Sequence, residues 1–285
     1  NQINKSNEKL KRLSFKEAKS FLRLKNTFST FINHNAEIIS LHTMDKSKHN
    51  FRIAAHARII AEQMSCDSLT VFQVYIAGLL YETGKISIAQ SLLSTPLELL
   101  NQQEKTLYNS FYGKGAVLLE KVKELANVAN IIKHIPEYIN GLGVPDHLAK
   151  DDIPVGSRII SVVSTFDNLV LGRQTQLPMS IVEAKHRIEE LANKVFDRQV
   201  INFYFDLLDT RPAPKEGTVE YPVNIAQLSE GDVLTQDLNN ENMVPLLTKG
   251  TTLESHHIEK LTELELEHNS VFTLFITQRN PKETV

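Results

Sequence analysis

Leu79-Leu80-Tyr81-Glu82-Thr83-Gly84-Lys85-Ile86 is the stretch on which the reading of this chain turns. It closes the run Leu69 to Tyr81, where Val71, Phe72, Val74, Ile76, Ala77, Leu79 and Leu80 leave almost no polar face. A helix that is apolar nearly all round belongs at the centre of a bundle. Asp67-Ser68 offers its N-cap, and Gly84 is expected to supply its C-terminal turn. Glu82 then sits where the helix end would face a cavity.

Working outward, helical spacing continues in both directions. Upstream, Phe51 to Met64 carries Ile53, Ala57, Ile60, Ala61 and Met64 on one face. Downstream, Asn101-Gln102-Gln103-Glu104 is a capping-box-like start, and the helix it opens contains Gly113 and Gly115. Glycines inside a helix weaken it and mark a close backbone approach or a break. Leu118 to Ile132 keeps the helical period, and Asn140-Gly141-Leu142-Gly143-Val144-Pro145 is a loop. Pro154 opens a helix through Arg158, Ile159, Val162, Phe166 and Leu169. Ser180 with Glu183 caps the next, and Asp197 caps the one holding Ile201, Phe203, Phe205 and Leu207. Residues 49–209 therefore predict an all-α bundle.

Residues 1–48 form an N-terminal helical segment whose apolar stripe is Leu10, Leu13, Phe15, Ala18, Phe21, Leu22, Leu24 and Phe28. Such a stripe covers a core, links to a preceding domain, or pairs two copies as a dimerising helix. At the other end, Asp209 to Gly217 is rich in Pro and Gly, and the period switches beyond it, so 210–222 reads as a linker. Strand-like runs at 221–228, 232–238, 243–248 and 271–276, with a helix at 255–264, predict a small α+β module over 223–278. The fold class is mainly α.

Composition narrows function. Apolar residues make up 41% and charged residues 23%, as in ordinary globular proteins. A net charge of −3 without a long basic run shows no footprint for nucleic acid, and no apolar run suits a membrane span. The single cysteine, Cys66, excludes an intramolecular disulfide framework and suits a cytoplasmic location. The chain opens at Asn1 with no signal-peptide pattern, which reads as a fragment with an upstream domain missing.

Spaced motifs over 49–208 resemble the HD-GYP domain, the cyclic di-GMP phosphodiesterase branch of the HD superfamily. His49-Asn50-Phe51-Arg52-Ile53 resembles the family's His-x-x-Arg-Val, and Tyr81-Glu82-Thr83-Gly84-Lys85-Ile86 resembles His-Asp-x-Gly-Lys-Ile. Leu100 to Glu104 matches the Leu-Thr-x-x-Glu helix start. Glu137 to Pro145 resembles the tail of His-His-Glu-x-x-Asp-Gly-x-Gly-Tyr-Pro, and Ile153-Pro154, Arg158-Ile159 and Phe166-Asp167 follow the family's next helix. The resemblance implies an HD-type bundle. The module after it resembles a small accessory domain that often accompanies such proteins, read as a docking or packing unit.

The resemblance also implies two or three metal ions on His and carboxylate ligands, which generate hydroxide and clamp the phosphodiester. At the matching positions His49 is kept, with Asp45 as an accessory carboxylate, while the His-Asp pair is Tyr81-Glu82. The following single His aligns with Phe111, the His-His pair with Ile135-Pro136, and the last Asp with Ser164. A phenol is a poor ligand near neutral pH, and Phe, Ile and Pro offer no side-chain lone pair. His49 and Glu82 stay as candidate metal ligands, with His134 one residue out of register. The expectation is no catalytic residues and no cofactor, the ancestral metal site being lost. Lys85 and Arg158 are candidate phosphate contacts; their ordinary readings are a solvated lysine, with a salt bridge to Glu82 also open, and an arginine paired with Asp152 or Glu137. Glu137, Gly141, Gly143 and Pro145 hold loop geometry, and His256-His257 reads as surface.

Three functions follow. The first is a catalytically inactive signalling output of a bacterial two-component or cyclic di-GMP system, acting through protein contacts. An upstream receiver domain, a diguanylate cyclase or a second copy of the chain are partners the resemblance suggests. The second is a non-hydrolysing cyclic di-GMP or nucleotide sensor using Lys85 and Arg158. The third is a residual one-metal phosphodiesterase on His49, Glu82 and His134. An open pocket at Glu82, Lys85 and Arg158 favours the sensor; one filled by Tyr81, Phe111 and Ile135 favours the contact module.

Overall fold

Capping and periodicity place most of the helices where the sequence puts them. The structure, a computed structural model, describes residues 19, 27–43, 47–175, 177–213, 218–239, 244–268 and 271–277. The N-terminal stripe from Leu10 to Leu24, Asp45, and parts of the expected linker and of the turn near 240 lie outside the described residues.

Helix α1 (27–42) lays Ile32, Ala36 and Ile39 into the main core. Helix α2 (His49–Gln63) follows, then α3 (Ser68–Leu80), where the Asp67 carboxylate accepts from Leu69 and Thr70 as an N-cap. Val74, Ile76, Ala77, Leu79 and Leu80 of α3 are buried, as its sequence requires.

Past Tyr81 the chain departs from expectation. Gly84 does not reverse α3 in a left-handed cap; the chain winds on as a 3-10 turn, Thr83–Ser87. The glycine is needed for contact, because a Cβ there would lie 1.9 Å from the Phe111 carbonyl oxygen. Gly84→Ala is therefore expected to cost roughly 1–3 kcal/mol by overpacking. Urea unfolding checks this, and an unchanged midpoint would contradict the contact.

The short α4 (Gln90–Leu93) leads to α5 (Gln102–Asn109), opened by a capping box in which Asn101 and Glu104 bond each other's backbone. The glycine-bearing helix is two helices, with α6 (Phe111–Glu120) starting after Ser110. The run Leu118 to Ile132 is also interrupted. A 3-10 turn at Lys123–Leu125 drops Leu125 into the core before α7 (Ala126–Lys133). Helix α8 (Val155–Val170) is the most enclosed, burying eleven residues from Gly156 to Val170. Helices α9 (Ile181–Glu190) and α10 (Arg198–Thr210) carry the Ser180–Glu183 capping box and the Asp197 cap.

The C-terminal strands are shorter than the sequence suggests. Strand β1 (Glu220–Val223) stops where Asn224 and Gln227 cap a 3-10 turn; β2 (Val233–Leu234), β3 (Leu238–Asn239), β4 (Pro245–Leu247), α11 (Ser255–His268) and β5 (Leu274–Thr277) follow. An antiparallel sheet runs β1-β5-β2, and β3 pairs with β4. Val223, Ile225, Leu234, Leu253, Leu261 and Ile276 belong to a second core, whereas Val219, Tyr221 and Phe275 pack into the helical one. The two parts thus share a buried contact across α2. Among the described residues no helix is long and apolar enough to cross a membrane.

Candidate functional site

Four segments bring charged groups into the bundle interior: the start of α2, the end of α3, the C-terminal half of α8, and the turn after it. His49 opens α2, and its Nε2 lies 2.8 Å from the Glu82 Oε2, both side chains fully buried. Lys85, one 3-10 turn on, donates to the other Glu82 oxygen. The Arg173 Nη1 approaches the His49 ring at 2.8 Å from Nδ1 and 2.9 Å from Nε2. A proton on Nε2 lets the ring donate to Glu82 and accept from Arg173 at Nδ1.

On the far side of the ring, Asp167 Oδ2 stands 3.6 Å from Nδ1. Arg52 grips Asp167 with two hydrogen bonds, Nε to Oδ1 at 2.6 Å and Nη2 to Oδ2 at 3.0 Å. Its remaining nitrogen donates to Glu220 on β1, which also receives the Thr235 hydroxyl and the Gln236 amide. One buried ionic chain therefore runs from Lys85 through Glu82, His49, Asp167 and Arg52 to the C-terminal strands.

The charges set each other's protonation. Burial alone would raise the Glu82 carboxyl, but His49, Lys85 and Arg173 hold it well below the ordinary carboxylate range. Burial likewise opposes the Asp167 charge, and the Arg52 guanidinium beside it overcomes that, so its pKa is lowered too. For Lys85, burial would lower the ammonium and Glu82 outweighs that, raising it. The Tyr81 phenol is pushed well above its usual value by burial and by Glu82, so it stays neutral.

The sequence candidates fare differently. Tyr81, Phe111 and Ile135 are 1%, 2% and 3% exposed and belong to the main core. The Tyr81 hydroxyl has no hydrogen-bond partner among the described residues. The Phe111 ring lies 5.2 Å from the Lys85 ammonium and, tilted, 3.9 Å from the Tyr112 ring. Ser164 is buried, and Pro136 lines a groove on the outer side of α6 and α7.

Lys85 is buried against Glu82 rather than solvated, because that carboxylate lies within its reach. Arg158 pairs with Asp197 at 2.7 Å and Asp151 at 3.1 Å, not with Asp152 or Glu137, since α10 begins beside it. His134 is engaged by the Asn130 carbonyl at 2.8 Å and Asp146 at 2.9 Å. Glu137 accepts from the Asp146 backbone at 2.7 Å, and a Cβ on Gly143 would strike the Tyr138 nitrogen at 2.1 Å, so both shape the loop. His256 pairs with Glu254 on the surface. Among the described residues, no three or more His, Cys, Asp or Glu side chains are grouped to hold a metal ion.

Arg173, Arg52, Asp167 and Glu220 are the participants that sequence reasoning did not single out as site residues. Two carried a usable signal: Arg52 follows His49 by three residues and Asp167 follows Ser164 by three, one helical turn each. Arg173 and Glu220 reach the site from 124 and 168 residues away from their partners, and no local pattern announces them.

Comparison with known proteins gives this geometry a lineage. The HD domain family matches residues 33–200. A cyclic di-GMP phosphodiesterase of Thermotoga maritima is 26% identical over 171 residues, covering 58% of this chain and 45% of that protein. The cyclic di-GMP phosphodiesterase response regulator RpfG of Xanthomonas campestris pv. campestris is 27% identical over 154 residues, covering 53% of this chain and 40% of that protein. A cyclic GMP-AMP specific phosphodiesterase from V. cholerae superposes with a TM-score of 0.50 at 17% identity, covering 63% of this chain and 48% of the other. The chain belongs to the HD domain family. It is an HD-GYP-like protein and spans about half the length of the curated relatives it matches.

Proposed function

We propose that this protein is an HD-GYP-type signalling output that hydrolyses no cyclic dinucleotide and works through protein contacts. The observation that carries this reading is the pair of cations at the candidate centre. Lys85 and Arg173 lie against Glu82 and His49, whose lone pairs a metal ion would need. The residues present do not fit a bridged divalent centre. Two positive side chains repel such an ion in a low-dielectric interior, and Tyr81, Phe111 and Ile135 fill positions where further donors would stand.

The filled pocket also favours contacts over sensing. Lys85 and Arg158, on which nucleotide binding would rest, are both held by carboxylates of this chain. His134, the third donor of a one-metal hydrolase, is held by Asn130 and Asp146. Relatives bearing phosphodiesterase names, one of them also a response regulator, favour a cyclic-dinucleotide or two-component pathway as the setting.

The test is elemental analysis of the purified chain with a turnover assay on cyclic di-GMP and 3'3'-cGAMP in excess manganese or iron(II). Substoichiometric metal and product at blank level are expected. Stoichiometric metal with hydrolysis would sink the proposal.

A further inference from the structure

We propose that the groove between α6 and α7 is a docking surface for an acidic amphipathic helix of a partner protein. This rests on the reading that the chain acts through contacts, and it names where and with what. The groove has a volume of about 1230 Å³ and lies outside the ionic chain, closed at one end by the 136–145 loop. Its apolar side chains face solvent: Val117, Leu118 and Val144 are 59%, 46% and 51% exposed. Apolar side chains gathered along a concave surface mark an interaction site more often than a bare surface does.

Shape and charge select the occupant. Helices of ten and eight residues make a trough roughly 12–15 Å long, matching two to three turns of a third helix. Lys105 and Lys114 stand on its rim, and among the described residues no carboxylate pairs with either; Lys133, also on the groove, is taken by Asp146. Glu120 is the groove's one acidic side chain, so the surface is locally basic on a chain of net charge −3. Residues 1–26 of this chain carry eight basic and two acidic side chains, so their charge is wrong for the groove.

Gly113 adds an independent observation. It lies inside α6, where glycine weakens a helix relative to alanine. Gly84 and Gly115 are required by each other's close approach, whereas a Cβ on Gly113 would meet nothing within 4 Å. Nothing inside the described chain calls for this glycine. The absent side chain leaves room at the groove for the close approach of an external backbone.

Two helical peptides with the same Ala/Leu face, one flanked by Glu and one by Lys, provide the probe, read by fluorescence anisotropy on the full chain. The Glu-flanked peptide is expected to bind the parent protein at least about tenfold more tightly than its Lys-flanked twin. Lys105→Glu with Lys114→Glu should invert that order. Gly113→Trp should abolish binding while leaving the urea midpoint in place, and Gly113→Ala checks that the position tolerates a side chain by raising it. Equal affinity for the two peptides, no binding of either, or binding unchanged in Gly113→Trp would overturn the proposal. So would displacement of the acidic peptide by cyclic di-GMP, which would make the groove a nucleotide site. Self-association of the parent, lost in Gly113→Trp, without peptide binding would assign the groove to a second copy and overturn it equally. Phosphodiester turnover by the parent would overturn the functional reading and leave these peptide results standing, so the two failures are distinguishable.

Discussion

Replacing Arg52 with methionine is expected to destabilise the protein by about 3–5 kcal/mol, the range for removing one partner of a buried ion pair. Methionine retains an apolar stem of similar length, so the loss comes from the charge rather than from a cavity. Arg52 is 2% exposed and binds two carboxylates at once, Asp167 on α8 and Glu220 on β1. Its guanidinium carbon also sits 4.4 Å from the centre of the Phe275 ring. Burial disfavours the guanidinium charge, but the two carboxylates more than compensate, and its pKa is raised. Without it Asp167 keeps only the His49 contact, and Glu220 keeps neutral donors.

Urea unfolding at neutral pH measures the effect, and thermal unfolding should show a midpoint drop of roughly 6–20 °C at about 2–4 °C per kcal/mol. Because Arg52 ties the helical bundle to the strands, the variant is also expected to unfold in two steps, the β1-β5-β2 part first. A loss below about 1 kcal/mol would place Arg52 among the ion pairs whose desolvation cancels their attraction.

Much of the bundle was legible because its signals are local. The caps at Asp67, Asn101, Ser180 and Asp197 form as read, since each needs only a side chain and a backbone amide two or three residues away. The apolar run from Leu69 to Tyr81 likewise dictates a central helix whatever surrounds it. What stayed hidden depends on what lies opposite. Gly84 reads as a turn residue until the Phe111 carbonyl is seen against it. Lys85 reads as solvated or as a partner of Glu82, and only the burial of Glu82 decides for the pair.

The candidate site divides in the same way. Tyr81, Phe111, Ile135 and Ser164 can be picked out from the sequence as residue types in a spaced pattern. The groups that occupy the interior cannot, because Arg173 follows the last residues of α8 in a turn with no periodic signal. Helix α2 is an instructive intermediate. His49, Arg52 and His56 fall three and four residues apart, so one buried face carries three titratable groups, visible in sequence once the face is known.

His56 gives the second large effect, a stability that falls with pH well before the carboxylates titrate. Its ring stacks on Tyr221 at 5.2 Å and lies 5.8 Å from Tyr204, both buried. Nε2 donates to the Glu220 carbonyl at 2.9 Å, and Nδ1 has no partner among the described residues. Burial first, then the Arg52 charge, bring its pKa down to about 4, with Asp167 and the Glu220 carbonyl opposing more weakly. The unfolded value is about 6.5, so the unfolded chain takes up a proton first as pH falls. The stabilisation is therefore complete above about pH 6.5 and is lost progressively down to about pH 4, amounting to about 3 kcal/mol. Glu82 and Asp167 also have lowered pKa values, and their contribution begins to be lost as pH falls below about 5, where unfolded carboxylates take up protons. The interval between about pH 6.5 and 5 thus separates His56 from these carboxylates. Between pH 7 and pH 5 the parent protein should lose about 2 kcal/mol more than His56→Phe, measured by urea unfolding at both pH values. Parallel losses in the two proteins would show that His56 is not held neutral in the fold. A steeper fall in His56→Phe would place the acid-sensitive group elsewhere on the Arg52 chain.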